Sequence, residues 1–128
     1  MINLEIIKEI ESSGNPQAYN ERSHARGLYQ ITPIVLKEWN NLFSWQCYTE
    51  EELFNPHTNQ LIAKWYLNCR IPEMLKGRFK DSLENRLICY NWGIGNFTRW
   101  QKAGAEFSRL PKETQDYLKK YWRLAQEA

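Results

Sequence analysis

Hydrophobic residues recur at a spacing close to 3.6 along most of the chain, and no segment alternates apolar and polar residues as a half-buried strand would. This pattern predicts an all-α, mostly helical domain. The only indication of β structure is the stretch Tyr29-Gln30-Ile31, so at most a small β element is expected near residues 29–31. The predicted helices cover residues 2–11, 33–42, 56–69, 82–92, 96 onward and 111 onward.

Residues that favour helix ends mark the borders of these segments. Thr32-Pro33 and Asn55-Pro56 each combine an N-cap side chain with a proline at the first helical position. Asp81 and Glu84 predict a capping box at the start of the helix over 82–92. These local signals make the helix starts the most specific part of the prediction.

Each predicted helix has one apolar face, whose residues are expected to point toward the core. The residues assigned to these faces are Leu36, Trp39, Phe43, Ile62, Tyr66, Cys69, Leu83, Leu87, Tyr90, Leu118, Tyr121, Trp122 and Ala125. Cys69 and Cys89 are interpreted as small buried residues. Most of the six tryptophans are interpreted as core residues, with Trp45, Trp92 and Trp100 as candidates for stacking on a sugar.

The composition is that of a folded globular protein, with 42% hydrophobic and 25% charged residues. A chain of 128 residues fits one compact domain, so a single domain over residues 1–128, acting as a monomer, is expected. No apolar run approaches the roughly 18 residues of a membrane span, so no membrane insertion is expected. The net charge of +2 is too small to indicate nucleic-acid binding.

The cysteines and histidines do not have the spacing of a zinc site, and nothing in the sequence places a cysteine in a reactive turn, although a Cys/His nucleophilic pair stays open. Cys47, Cys69 and Cys89 are scattered, and His24 and His57 lack partners at zinc-ligand distances along the chain. No metal and no other cofactor are therefore expected. An odd number of cysteines indicates reduced thiols and synthesis in the cytosol.

One acidic residue of the first helix departs from the charge pattern of its neighbours. With Leu4 at zero and about 100° per residue, Glu11 falls at about 340°, between Ile7 and Leu4 and away from the charged face. Loss of hydration and the negative end of the helix dipole would both raise the pKa of a carboxyl group there. Such an acid suits protonation of a glycosidic oxygen. The alternative is that Glu11 caps a loop or pairs with Arg22 or Arg26.

Five segments, in the same order, resemble motifs of the soluble lytic transglycosylase family, which has a lysozyme-like fold shared with goose-type lysozyme. They are Glu11-Ser12 with Asn15-Pro16-Gln17-Ala18, Gly27-Leu28-Tyr29-Gln30-Ile31, Asn55-Pro56-His57-Thr58-Asn59, Tyr90-Asn91-Trp92-Gly93-Ile94-Gly95-Asn96, and Leu110-Pro111-Lys112-Glu113-Thr114-Gln115-Asp116-Tyr117. The resemblance implies a lysozyme-like, mostly helical domain that acts on peptidoglycan.

The resemblance also assigns roles to individual residues. It implies that Glu11 is the sole catalytic acid and base, that Gln30 lies near the scissile sugar, and that Tyr90 aims its hydroxyl at Glu11 or at the N-acetyl group. Asn91 would support the site from the same turn as Tyr90. Gln30 is expected to present both a hydrogen-bond donor and an acceptor.

Other motif positions are assigned to substrate binding, although some depart from the family pattern. Asn20 stands where family members often carry a serine that contacts the substrate, and Trp92 replaces a small alanine. Ser12 and Tyr29 belong to the motifs themselves and are also assigned to substrate binding. His24 replaces a common glycine, which leaves the shape of its loop open.

The resemblance implies cleavage of the MurNAc-β-1,4-GlcNAc bond of peptidoglycan glycan strands with formation of a 1,6-anhydro ring. The only acid between Glu11 and Ile31 is Glu21, which favours a route with one carboxylate over hydrolysis by two. The alternatives are a hydrolytic muramidase of the same fold and an inert peptidoglycan-binding module.

The N-terminal sequence MINLEIIKEI has acids in its apolar stretch and lacks the basic head of a secretory signal. The interpretation is a protein made in the cytoplasm without a signal peptide that acts on the cell wall, as a phage-type endolysin or a virion-associated enzyme. The alternative is the mature form of a periplasmic enzyme whose leader has been removed.

Overall fold

The structure is a computed structural model that describes residues 2–127, so Met1 and Ala128, the ends of the predicted domain, lie outside the described residues. The helices are α1 (Leu4–Ser12), α2 (Pro33–Leu42), α3 (Pro56–Trp65), α4 (Ile71–Leu75), α5 (Leu83–Trp92), α6 (Ile94–Lys102) and α7 (Lys112–Glu127). Short 3-10 helices cover Glu51–Phe54 and Phe107–Arg109, and a π-helical turn covers Tyr66–Arg70. The all-α prediction is confirmed. No helix of residues 2–127 combines the length and apolar character needed to cross a membrane.

Local capping chemistry starts α2 and α3 where the sequence predicts. Thr32 Oγ1 accepts a hydrogen bond from the backbone N–H of Val35, and Asn55 Oδ1 accepts hydrogen bonds from the N–H groups of His57 and Thr58. A proline follows each cap, where its missing N–H leaves no intrahelical bond unmade. These two predicted helix starts are confirmed.

The capping box predicted at the start of α5 is wrong. Ser82 is the N-cap, and its Oγ accepts a hydrogen bond from the backbone N–H of Asn85 at 3.1 Å. Asp81 instead binds the guanidinium group of Arg86. A serine and an aspartate at adjacent positions can both cap a helix, and the nearby arginine decides between them because it binds the carboxylate.

The β structure is smaller than a strand. Among residues 2–127, Arg26 forms isolated antiparallel bridges with Tyr19 and with Ile31, while Tyr29 and Gln30 lie in a turn. The small β element predicted near residues 29–31 therefore consists of the bridge at Ile31.

The chain divides into two compact units. The middle unit is Ile7–Tyr66, and the terminal unit combines the residues before Ile7 with those from Leu67 onward. In the middle unit, α3 packs against the 3-10 helix Glu51–Phe54. Its fully buried residues include Ile7, Tyr29, Ile31, Leu53, Asn59 and Ile62. The single domain predicted for residues 1–128 stays a prediction.

In the terminal unit, α5 packs against α4, α6 and α7. Its most buried residues include Leu67, Ile71, Leu75, Leu87, Phe97 and Leu118. The ring of Phe97 meets Phe79 edge to face, with centroids 5.4 Å apart. The helix α5 thus forms the centre of this unit, and its last residues carry the motif that begins at Tyr90.

Three residues predicted to face the core are exposed instead. Cys69 is exposed because the π-helical turn has more residues per turn than an α-helix, which rotates Cys69 away from the face of Tyr66. Trp122 is 37% exposed and stacks on Phe107, with ring centroids 6.2 Å apart. Ala125 is exposed because α7 makes few buried contacts beyond Tyr121.

Candidate active site

Glu11 lies in the last turn of α1, at the border between buried and exposed residues. One turn earlier Ile7 is fully buried, whereas Glu9 is exposed and Glu11 is half-buried. This agrees with the predicted place of Glu11 at the edge of the apolar face. The negative end of the α1 dipole is also near this residue.

The chain turns sharply after Glu11, and Ser12 stabilises the turn. Ser12 Oγ donates a hydrogen bond to the carbonyl oxygen of Lys8 at 3.2 Å and accepts one from the N–H of Gly14 at 3.2 Å. Ser13 and Gly14 both have positive φ, 54° and 77°. Ser12 was predicted to bind substrate, and its hydroxyl is used in the structure to terminate α1.

The polar loop that follows is closed by Asn20. Asn20 Oδ1 accepts hydrogen bonds from the backbone N–H groups of Arg22 and Ser23, and its own N–H donates to the carbonyl of Ala25. Asn20 is exposed, and its side-chain oxygen is already bound within the loop. A contact between Asn20 and a substrate would therefore have to use its amide nitrogen.

His24 occupies a backbone conformation that glycine adopts most readily. Its φ is 63°, and its Nδ1 lies 2.7 Å from the hydroxyl oxygen of Tyr19. The left-handed region costs a residue with a Cβ roughly 1–2 kcal/mol. The hydrogen bond between the His24 ring and the Tyr19 hydroxyl offsets part of this strain.

The turn at Gly27 requires glycine both for its conformation and for space. Gly27 has a φ of 82°, and a Cβ built there would overlap Asn59 Nδ2 and the carbonyl oxygen of Leu53. The N–H of Gly27 donates to the carbonyl of Ala18 at 2.8 Å. The first residue of the Gly-Leu-x-Gln-Ile motif is therefore set by close packing of two backbone segments.

Asn59 holds this turn from α3 and is fully buried. Its Oδ1 accepts a hydrogen bond from the N–H of Tyr29 at 2.8 Å, and its Nδ2 donates to the carbonyls of Arg26 and Leu53, both at 2.8 Å. Asn59 is the last residue of the motif Asn55–Asn59, and its role is not predicted from the sequence. Its place in the Asn55–Asn59 segment was the signal available in the sequence.

Gln30 follows that turn with a φ of 53° and is half-buried. Its Nε2 donates to the carbonyl oxygens of Ala18 at 3.2 Å and Gly27 at 3.1 Å. Because both neighbours are acceptors, the amide can only be oriented with its nitrogen toward them. The side chain can thus offer a ligand its oxygen as an acceptor, which corrects the expectation of a donor and an acceptor together.

Tyr29 exposes none of its surface, although it was predicted to bind substrate. Its backbone N–H is bound to Asn59. Without exposed surface its ring packs in the core, so Tyr29 is not among the substrate contacts proposed below.

Three further predicted residues belong to the terminal unit, at the end of α5. Asn91 Oδ1 accepts a hydrogen bond from Thr114 Oγ1 at 2.8 Å, and Thr114 is buried. The carbonyl of Trp92 accepts from Asn96 Nδ2 at 2.9 Å, and Gly93, with a φ of 94°, ends the helix. Tyr90, Asn91 and Trp92 are half-buried. Their substrate contacts stay predictions.

The cysteines do not form a reactive or metal-binding cluster. All three are free thiols, and burial raises the pKa of the Cys89 thiol to about 12, which makes it a poor nucleophile. Within residues 2–127, no group of three or more His, Cys, Asp or Glu side chains is arranged to hold a metal ion.

Comparison with protein families assigns most of the chain to a known family. The family model described as the transglycosylase SLT domain matches residues 3–110. That family consists of lysozyme-like, lytic transglycosylase-type enzymes that degrade peptidoglycan. Because the match covers most of the chain, this chain belongs to the transglycosylase SLT domain family, with peptidoglycan as the implied substrate. Comparisons with curated proteins and with solved structures gave no match.

Proposed function

We propose that this protein cleaves the MurNAc-β-1,4-GlcNAc bond with Glu11 as its only catalytic acid and base, and that it leaves 1,6-anhydroMurNAc ends. The observation that carries the proposal is the position of Glu11, half-buried on the last turn of α1 in a chain whose family match spans residues 3–110.

The proposed reaction uses one carboxyl group twice. Glu11 donates its proton to the glycosidic oxygen, the bond from the MurNAc anomeric carbon to that oxygen breaks, and GlcNAc leaves as an alcohol. The carboxylate of Glu11 then takes the proton of the MurNAc C6 hydroxyl, whose oxygen bonds to the anomeric carbon. The balance needs no water, and attack from within the same sugar is fast because the nucleophile is already in place.

One feature of the segment between Glu11 and Ile31 supports this route. Glu21, the only acid between Glu11 and Ile31, is exposed on the loop closed by Asn20, which does not favour it as a second catalytic carboxylate.

The Oε1 atom of Gln30 is directed away from the carbonyls that bind its nitrogen. We propose that it accepts a hydrogen bond from a sugar hydroxyl or from the N-acetyl N–H.

The first prediction concerns Glu11 itself. Glu11→Gln is expected to lower the rate of wall clearing by about 100-fold to 10,000-fold, because the amide cannot donate or accept the transferred proton. Binding to purified sacculi should be unchanged. The matched control is Glu9→Gln, an exposed acid on the same helix that should retain full activity.

Three outcomes would contradict the proposal. Wall clearing by Glu11→Gln at the rate of the parent would remove Glu11 from the mechanism. Mass spectrometry of the released muropeptides checks the product, since anhydro ends are one water lighter than reducing ends. Reducing ends would indicate a hydrolytic muramidase, and binding without any product would indicate an inert peptidoglycan-binding module.

We also propose that the protein acts as a monomer, after release from the cytoplasm of a phage-infected cell or as part of a virion. The three free thiols support synthesis in a reducing compartment. Expression in the bacterial cytoplasm should leave cells intact until the inner membrane is permeabilised. Lysis without permeabilisation would contradict release as the controlling step, and size-exclusion chromatography tests the monomer.

A further inference from the structure

The segment after α2, residues 43–49, forms a loop that several hydrogen bonds hold in one conformation. Trp39 Nε1 donates to the carbonyl of Gln46 at 2.8 Å. Asn40 binds the backbone of Tyr48 twice, as donor to its carbonyl and as acceptor from its N–H, both at 2.9 Å. We refer to residues 43–49 as the aromatic loop. Because α2 anchors it at these points, its tip is a fixed surface.

Trp45 stands at the tip of the aromatic loop with 77% of its surface exposed. Its ring meets that of Phe43 edge to face, with centroids 5.6 Å apart and planes at 86°. Phe43 in turn packs on Trp39 and Trp65, at 4.3 Å and 5.7 Å. The indole of Trp45 thus contacts a packed aromatic column, and most of its surface is open to solvent.

The residues that flank Trp45 in the chain carry no charge. No charged residue occurs from Trp39 to Tyr48, and Ser44 and Gln46 beside the indole are exposed. The Nε2 atom of Gln46 donates to the Tyr48 hydroxyl at 2.8 Å, so its oxygen remains available as an acceptor. An anionic membrane surface would attract lysines and arginines, which this segment lacks.

We propose that Trp45 is a glycan-binding platform on which an N-acetylated pyranose of a peptidoglycan strand stacks. This inference rests on the proposed function, because it takes the same polymer as the ligand. The flat apolar face of the pyranose packs on the indole, while Ser44 and Gln46 offer hydrogen bonds to hydroxyl and acetamido groups. The platform is additional to the residues predicted for bond cleavage and would hold the polymer during turnover.

The test measures binding to purified sacculi, in the Glu11→Gln background so that the polymer stays intact. Trp45→Ala is expected to weaken binding by roughly tenfold, the equivalent of losing one good aromatic contact. Trp45→Tyr should retain most of the affinity because it keeps a flat ring. The matched control is Ile34→Ala, which removes another apolar side chain of the same unit that is 74% exposed.

The outcomes separate this inference from the proposed function. If Trp45→Ala binds sacculi as tightly as its parent, the platform is ruled out even when Glu11→Gln abolishes wall clearing. If Glu11→Gln still clears the wall, the single-acid mechanism fails, and sedimentation with sacculi at low temperature still tests the platform. Equal losses of affinity for sacculi in Trp45→Ala and Ile34→Ala would overturn the platform. It would also be overturned if Trp45→Ala lost binding to vesicles of phosphatidylglycerol while it kept binding to sacculi. Thermal unfolding checks that each variant is folded.

Discussion

The side-chain amide of Gln30 lies between the backbone carbonyls of Ala18 and Gly27, and both accept hydrogen bonds from its nitrogen. A glutamine in a sequence can act as donor, acceptor or both. The two carbonyls restrict it to one function toward a ligand. The chemistry that this motif residue can offer is therefore determined by its neighbours on the folded chain.

Asn59 also has its side-chain amide bound to backbone groups, and it is fully buried. The next prediction concerns its replacement. Asn59→Leu has a similar volume but leaves the Tyr29 N–H and the carbonyls of Arg26 and Leu53 without their partner. Buried polar groups without partners are costly, so the free energy of unfolding should fall by about 3–5 kcal/mol. Denaturant unfolding measures this change, and wall clearing should fall with it.

The matched control is Gln60→Leu, since Gln60 is the next residue of α3 and is exposed. It should change stability by less than about 0.5 kcal/mol, as surface substitutions usually do. Equal losses of stability in the two variants would show that Asn59 does not hold the Gly27 turn.

The start of α5 shows how one ion pair joins neighbouring elements. Arg86 donates to Asp81 through Nε and Nη2, at 2.6 Å and 2.9 Å, and its Nη1 reaches the side-chain oxygen of Asn68 at 3.4 Å. The hydrogen bonds from Arg86 lower the pKa of Asp81, although burial acts in the opposite direction. The pair therefore links the loop before α5 with the π-helical turn.

A pH dependence of stability follows from this pair. Because folding lowers the pKa of Asp81, its contribution is complete above the pKa of about 3.9 in the unfolded chain and is lost as the pH falls through the lower folded pKa. The Asp81 side chain is 39% exposed, so solvent screening limits the contribution to less than about 1 kcal/mol.

The measurement compares the free energy of unfolding of the parent and of Asp81→Asn at about pH 6 and about pH 2.5. At the higher pH the parent should be more stable than Asp81→Asn. At the lower pH this difference in stability between the two proteins should be smaller. A difference that stays constant with pH would mean that the ionised carboxylate of Asp81 does not contribute to stability.

Over the whole molecule, the three thiols report on the packing of the chain. Cys47 and Cys69 are exposed, while Cys89 is buried and burial raises the pKa of its thiol to about 12. A thiol reagent at neutral pH should therefore modify Cys47 and Cys69 in the native protein and Cys89 only after denaturation. Mass spectrometry of the modified protein identifies the sites.

Cys89→Ala is the control for that experiment, because it should abolish the modification that appears on denaturation and leave the native reaction unchanged. Modification of Cys89 in the native state at the rate of Cys47 would contradict the burial of α5 in the terminal unit.

The features that the sequence determines by itself are those that depend on residues close together in the chain. Thr32-Pro33 and Asn55-Pro56 start helices because the cap and the backbone N–H groups it binds are two or three residues apart. The position of Glu11 at the edge of the apolar face follows from the helical period alone. The family resemblance also lies in the motifs, and the match over residues 3–110 confirms it.

Only the tertiary structure decides the features that depend on distant residues. Asn59 binds Tyr29 across 30 residues, Arg86 takes Asp81 away from capping α5, and a π-helical turn moves Cys69 to the surface. The sequence offers Trp45 only as one of three candidates for stacking on a sugar, and the folded chain shows that its side chain is exposed. Hydrogen bonds and packing act between groups brought together by folding, so the roles of such residues appear only when their partners are known.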